Sequence, residues 1–412
     1  MKILFLSDNF PPEVNAPASR TFEHCRRWVT AGHEVTVITC APNFPRGKIF
    51  PGYKNHWQKW ETMEGIRILR VWSYIAPNKG FTRRILDYVS YMTTAILASP
   101  STGKADVVIG TSPQFFTVCA AWVVSCLKRA PFVFELRDLW PESIRTVGAM
   151  KDGIAIRLLE QLELFLYRRS SAVISVTRSF KKNLIDRGIA PEKISIVTNG
   201  VDLERFQPKP KHKSLETSLG LEGKLVAGYI GTHGMAHDLG TVLEAAGTLL
   251  KHPKGADFHF LFLGDGADKI RLEKFAKEKK LSNVTFIDSV PKEDVPNYWS
   301  LLDISIIHLR RTDLFKMVIP SKIFECMGMG IPILLGVEGE SAEILNETQV
   351  GRTFTPSSPK ALADSLIDII TNRKCLDSWS ANGPKAALTY DRNSLASEME
   401  KILLKLPKQV SS

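Results

Sequence analysis

The order of hydrophobic segments predicts an α/β protein made of two doubly wound domains, each built on a parallel sheet. Three observations carry that prediction. Short apolar runs alternate with amphipathic segments through both halves of the chain, and 412 residues exceed what one hydrophobic core usually serves. Between the two series lies a polar, Pro- and Lys-rich stretch, "TNGVDLERFQPKPKHK" from Thr198, which reads as a linker. The expected domains are residues 1–200 and 201–390, with 391–412 forming a helix that returns to the first domain.

The first series opens with "KILFLSD", a buried strand, followed by the turn "NFPPEVNAPASR", a helix carrying "TFEHCRRWVTAG" and the strand "HEVTVITC": a βαβ unit. Residues 41–76 are rich in Gly, Pro and aromatics and read as a long functional loop region leading to the strand "IRILRVW". Then come a strand-turn-helix at 107–128, the strand "PFVFELRD", the helix "DGIAIRLLEQLELFLYRRS" and the strand "SAVISVT". The second series runs "KLVAGYIG", a helix from Asp238, "ADFHFLFLGDG", the helix "KIRLEKFAKEKK", "NVTFID", a helix after Pro291, "DISIIHL", the strand "PILLG", and helices from Pro359 to Leu404.

The longest uncharged run, Val107 to Leu127, has the length of a membrane span, but Thr111, Ser112, Pro113 and Gln114 divide it into a strand and a buried helix. The N-terminus carries no apolar stretch of signal-peptide length, so a cytoplasmic protein is expected. The six cysteines form no C-x-x-C pair and are expected to be reduced; no metal site is demanded. Charge is uneven. Residues 1–200 hold 27 basic and 16 acidic side chains, whereas 201–412 hold 27 of each, so the whole +11 excess lies in the first half. That half is expected to face an anionic partner, either a phosphate-bearing ligand, nucleic acid or a membrane surface. "GFTRRILDYVSYMTTAILAS" from Gly80 suits an interfacial helix at a membrane, or a core helix packed on the sheet.

The stretch "LFKMVIPSKIFECMGMGIPI" places one carboxylate, Glu325, in an apolar segment. Pro320, Ser321 and Lys322 suit a first helical turn, and Gly330 with Pro332 stops the helix. A carboxylate there needs hydrogen-bond donors, supplied by a ligand hydroxyl or by a cap or salt bridge. "GTHGMAHD" from Gly231 and "GDG" at Gly264, Asp265 and Gly266 also fall at strand ends, where glycines let amides approach a phosphate. Arg310, Arg311, Lys316 and Lys322 are placed to neutralise a diphosphate.

These residues resemble a known family. "TNGVDLERF", "FLGDG" and "PSKIFECMGMGIPIL" are similar to the linker, nucleotide loop and ribose-binding segment of retaining family-four glycosyltransferases with the GT-B fold. "PPEVNAPASR", "GHEVTVIT", "NFPRGKIFPGY" and "ELRDLWPES" resemble the branch of N-acetyl-L-fucosamine transferases from bacterial surface-polysaccharide clusters. The resemblance implies two domains facing across a cleft, with a UDP-sugar donor held by Glu325, Ser321, Gly231, His237, Gly264, Asp265, Gly266 and Arg310. It implies no cofactor and no metal, no nucleic-acid partner, a polyprenyl-diphosphate-linked saccharide acceptor near Asn15, Ala16 and Arg20, and a peripheral place on the inner face of the cytoplasmic membrane.

Three departures from the family pattern matter. The donor-sugar glutamate is replaced by Met317, and the usual diphosphate Arg and Lys align with Thr232 and His237, leaving Lys316 and Lys322 as expected substitutes. The frequent His-Asp pair is Arg137-Asp138, in which Asp138 is expected either to orient or deprotonate the acceptor, or to pair with Arg137. Front-face displacement is the expected mechanism, with Lys316, Lys322 and backbone amides stabilising the leaving diphosphate. A UDP-sugar 2-epimerase of the same architecture and a non-catalytic nucleotide-sugar binder are the competing readings.

Overall fold

The structure, a computed structural model, describes residues 1–44, 46–75, 81–140, 142 and 153–407, with the side chains of 81 and 82 excepted. Pro45, Ala76, Gly80, Pro141, Ser143, Asp152 and residues 408–412, which belong to segments named above, lie outside the described residues. The chain divides into two compact units: Met1–Thr198 together with Arg392–Ser412, and Asn199–Asp391.

The first unit contains β1 (Lys2–Leu6), α1 (Ala16–Thr30), β2 (Glu34–Cys40), β3 (Gln58–Met63), β4 (Ile66–Val71), α2 (Phe81–Ala98), β5 (Val107–Thr111), α3 (Phe115–Lys128), β6 (Phe132–Leu136), α4 (Ile154–Arg169), β7 (Ala172–Ser175), α5 (Arg178–Asp186) and β8 (Ile194–Ile196). Its sheet has the order β3-β4-β2-β1-β5-β6-β7-β8 and is parallel except for β3. Strands buried on both faces explain the apolar runs of β1 and β5, and of β6 apart from its buried Glu135. β3 is a correction to the loop expected over 41–76. Glu64 and Gly65, both at positive φ, close a two-residue hairpin that pairs Met63 with Ile66, so an antiparallel edge strand forms despite its polar sequence. The 107–127 run is β5 plus α3, whose start is capped by Gln114, its side-chain oxygen accepting from the Thr117 amide. No helix among the described residues is long and apolar enough to cross a membrane. The C-terminal helix Arg392–Leu404 packs on α1: Trp28 donates its indole N–H to the Ala396 carbonyl, and Arg392 pairs with Glu23.

The second unit contains α6 (Lys213–Ser218), β9 (Leu225–Ile230), α7 (Leu239–Leu250), β10 (Phe258–Leu263), α8 (Lys269–Glu278), β11 (Val284–Ile287), α9 (Val295–Trp299), β12 (Ile304–His308), α10 (Lys322–Met329), β13 (Ile333–Gly336), α11 (Glu340–Thr348), β14 (Gly351–Thr353), α12 (Pro359–Thr371) and α13 (Lys374–Ala387). Its parallel sheet runs β11-β10-β9-β12-β13-β14. Chain order reverses between β9 and β12, and between β1 and β5 in the first unit. Ligands of doubly wound sheets bind outside the carboxyl ends of the strands at such points.

Candidate functional site

At the carboxyl end of β9 the chain turns through Gly231, whose φ of 140° disfavours any side chain. A Cβ there would meet Lys322 Nζ at 2.9 Å, so the first residue of α10 lays its ammonium directly on this turn. Nζ has no solvent contact and no hydrogen-bond partner; it rests 3.5 Å from the centre of the Tyr229 ring. Burial pulls the Lys322 ammonium down to about 7, against the opposing pull of Glu325 one helical turn away. His237 and His233 flank the same place, and burial followed by the lysine charges nearby keeps both neutral, at about 3 and about 4. Both ring nitrogens of His233 are buried without partners among the rings of Tyr229, Phe262 and Phe286.

The loop "GDG" packs on that turn. A Cβ on Gly264 would meet the Gly231 carbonyl oxygen at 2.0 Å, and one on Gly266 the His233 carbonyl oxygen at 2.4 Å. These glycines are therefore required by contact of loop on loop, a reason distinct from approach to a phosphate. Asp265 Oδ1 accepts from the Gly266 amide at 2.8 Å, and its carbonyl from the His233 amide. Arg310, just beyond β12, ties itself to the same turn: its amide donates to the Ala236 carbonyl at 2.8 Å and its Nη2 to that of Met235 at 3.3 Å. Ser321 precedes α10 without a side-chain capping bond, and Gly330, at a φ of 67°, ends the helix. Glu325 is half-buried in its first turn.

Lys316 differs from Lys322 in its surroundings: its ammonium is exposed and bonded to Asp313 at 2.8 Å, with Glu338 at 3.8 Å, and Asp313 raises its pKa. Its charge is already balanced.

In the first unit, Ser112 Oγ beyond β5 accepts from the amides of Arg137 at 2.8 Å and Asp138 at 3.1 Å, which fixes the chain beyond β6 beside the reversal point. Arg137 reaches back to the start of α1. Its Nη1 and Nη2 donate to the carbonyls of Pro17 and Ala16, and burial draws its pKa down to about 9 with Glu135 opposing. Arg20 is 2% exposed, with its donors taken up inside the unit. Its Nε bonds Glu135 at 2.9 Å, while Nη1 and Nη2 bond the carbonyls of Thr198 and Val197 at 2.5 and 2.9 Å. Burial resists ionisation of Glu135, but Arg20 and Arg137 hold its pKa below the usual carboxylate range. Asn15 caps α1 by accepting from the Ala18 amide at 2.9 Å, and Ala16 is exposed beside it.

Comparison with known proteins fits this geometry. The family model Glycosyltransferase Family 4 matches residues 18–205, and Glycosyl transferases group 1 matches residues 213–386. This chain is a GT-B glycosyltransferase of family-four type. The protein named as the colanic acid biosynthesis glycosyl transferase WcaI of Escherichia coli is 25% identical over 80% of this transferase and 82% of its own length. The glycosyltransferase WbjE of Pseudomonas aeruginosa is 27% identical over 69% and 70%. Among solved structures, Anabaena HepE in complex with UDP and glucose superposes with a TM-score of 0.74 at 16% identity, covering 98% of this chain and 100% of that one. The two models and these relatives are described as transferases, so the epimerase reading is not favoured.

The transferase has a second constellation that sequence reasoning missed. Burial takes the carboxyls of Asp8, just beyond β1, Glu13 and Asp87 of α2 up to about 6, about 7 and about 8; Asp8 adds to the rise at Glu13, and both add to the rise at Asp87. Glu13 Oε1 accepts from the amides of Asn43 and Phe44 at 2.7 and 2.8 Å, which anchors the loop after β2. Tyr229 was missed as well, because inside "KLVAGYIG" it reads as one more apolar strand residue. Among the described residues no group of three or more His, Cys, Asp or Glu is placed to hold a metal ion.

Proposed function

We propose that the transferase moves a sugar, with retention at the anomeric carbon and without metal or cofactor, from a UDP-sugar to a polyprenyl-diphosphate-linked saccharide during bacterial surface-polysaccharide synthesis. One observation carries the donor half: the Lys322 ammonium is buried without a hydrogen-bond acceptor and laid on the Gly231 turn at the end of β9, so a diphosphate oxygen arriving there gains a charged donor. Glu325, three residues on, is within a helical turn of it and accepts from the ribose hydroxyls. HepE, crystallised with UDP and glucose, and the colanic acid relative support the donor class and the polysaccharide setting. The resemblance to N-acetyl-L-fucosamine transferases, with Met317 in place of a polar donor-sugar contact, favours an N-acetylated deoxyhexosamine.

In the reaction Lys322 neutralises the growing negative charge of the departing UDP, so its contribution is largest in the transition state. A diphosphate oxygen takes the acceptor proton as the new bond forms on the same face. Asp138 orients the acceptor hydroxyl. The membrane-facing position follows from the lipid carrier. Incubation of the enzyme with candidate UDP-sugars and a panel of polyprenyl-diphosphate-linked saccharides tests the whole reading. Transfer predicts UDP release only with acceptor. A changed sugar without UDP release indicates isomerisation, and binding without either product indicates a non-catalytic binder.

A further inference from the structure

We propose that His308 is a positioning residue for the diphosphate turn: in its Nδ1–H tautomer it clasps the Ser357 amide to the His237 carbonyl, and so holds the 231–238 turn against Lys322. What the clasp serves rests on the diphosphate reading of the preceding section; the clasp itself stands on hydrogen bonds alone. His308 ends β12, one of the two strands at the reversal point of the second sheet, and is fully buried. Inside "DISIIHL" it reads as one more core residue. Unlike those of His233, however, both of its ring nitrogens have partners. Nε2 lies 2.8 Å from the Ser357 amide nitrogen, and an amide N–H can only donate, so Nε2 accepts. The ring proton therefore sits on Nδ1, which donates to the His237 carbonyl at 3.0 Å. Burial lowers the pKa of the ring and keeps it in this neutral form.

Packing locks the ring in place. It stacks on Phe354 with centroids 5.7 Å apart and planes 16° from parallel, and a Cβ on Gly336, its cross-strand partner in β13, would meet Cδ2 at 2.4 Å. Gly336 thus gives the ring its room. Together with the two bonds from Arg310, the His308 bond ties the carbonyls of Met235, Ala236 and His237, three residues in a row, to the end of β12. The far side of the clasp is as closely defined. Ser357 Oγ donates to Asp238 Oδ2 at 2.9 Å, and the same oxygen accepts from Thr241 Oγ1 at 3.0 Å. Asp238 and Ser357 hold left-handed backbone, at φ of 45° and 55°, which a residue with a side chain keeps only where its surroundings impose it. His237, whose carbonyl takes the clasp, lays its ring 5.6 Å from that of Tyr229, centroid to centroid, and Tyr229 carries the Lys322 ammonium. A displaced 235–237 backbone therefore moves the wall on which Lys322 and an arriving diphosphate meet. His308, sealed from solvent, acts only through that turn.

Two variants each keep half of the clasp. The side-chain amide of Asn reaches the place of Nδ1 and that of Gln the place of Nε2, so His308→Asn keeps a donor for the His237 carbonyl and His308→Gln an acceptor for the Ser357 amide; His308→Phe keeps neither. Calorimetric titration of the full-length protein should show UDP affinity about tenfold lower in His308→Gln and His308→Phe but within about threefold of wild type in His308→Asn, with uridine affinity unchanged in all three. NMR of the wild type with labelled histidine rings should place the His308 proton on Nδ1, a measurement that needs no variant to fold. A proton on Nε2 overturns the clasp. Equal loss of UDP and uridine affinity, or equal UDP affinity in all three variants, overturns the positioning role and leaves His308 a core residue. Lys322→Met, titrated in parallel, separates this proposal from the reading beneath it. Selective UDP loss in His308→Gln with none in Lys322→Met overturns the role of the lysine and leaves the clasp standing; the reverse overturns the clasp alone.

Discussion

Lys322 Nζ lies 3.5 Å from the centre of the Tyr229 ring, a cation–π contact for an ammonium cut off from water and without a hydrogen-bond partner. A cation over an aromatic face recovers part of the desolvation cost, and an incoming diphosphate recovers more. Replacing Lys322 with Met keeps the volume and removes the charge. UDP binding should then weaken by about 1.5–3 kcal/mol while uridine binding changes little. Titration calorimetry with the two ligands checks this, and equal UDP affinity would remove Lys322 from the site.

The same lysine makes two pH effects measurable. Its folded pKa of about 7 lies below its ordinary value of 10.5, so the folded state disfavours the bound proton. The resulting penalty is fully present below about 7 and is relieved as pH rises from there towards the unfolded value. Wild-type stability should therefore gain on Lys322→Met between those limits. Above neutral pH, UDP binding should take up a proton, seen as a dependence of binding enthalpy on the buffer's ionisation enthalpy. No proton uptake would mean the diphosphate sits elsewhere.

Glu325→Gln should lose affinity for uridine as well as UDP, by about 1.5–3 kcal/mol, because the lost acceptor serves the ribose and not the phosphates. Lys316→Ala, by contrast, should leave UDP affinity within about twofold, since its ammonium is exposed and paired with Asp313. A large Lys316 effect would restore it to the diphosphate.

Arg20→Met is a stability experiment. It leaves Glu135 as a buried carboxylate that has lost a direct partner, a change that typically costs about 3–5 kcal/mol, and it should lower the melting temperature without changing UDP affinity in the folded protein. An unchanged melting temperature with a raised acceptor KM would return Arg20 to the acceptor.

The raised carboxyls of the first unit predict the opposite pH sense to Lys322. Asp87 binds its proton more tightly folded than unfolded, so its contribution is harmless at low pH and becomes destabilising as pH rises towards about 8. Asp87→Asn should be more stable than wild type at pH 8, and the advantage should shrink as pH falls towards 4. A pH-independent difference would show that Asp87 is paired in the folded protein.

The sequence by itself determined the two-domain α/β architecture, because strands buried on both faces must be written as apolar runs, and such runs recur between helical segments from "KILFLSD" to "PILLG". It also singled out Glu325 and the loops at Gly231 and Gly264, since a carboxylate in an apolar helix and glycines at strand ends are visible without coordinates. What it could not decide was which charges are already spent. Lys316 and Lys322 are six residues apart and chemically identical in the sequence, yet one is exposed on Asp313 and the other is sealed against Tyr229. Arg20 reads in the sequence as an acceptor ligand, and only the fold brings Glu135, 115 residues away, and the carbonyls of Val197 and Thr198 onto its donors. Solvation and pairing depend on neighbours distant along the chain, so the tertiary structure alone sets them.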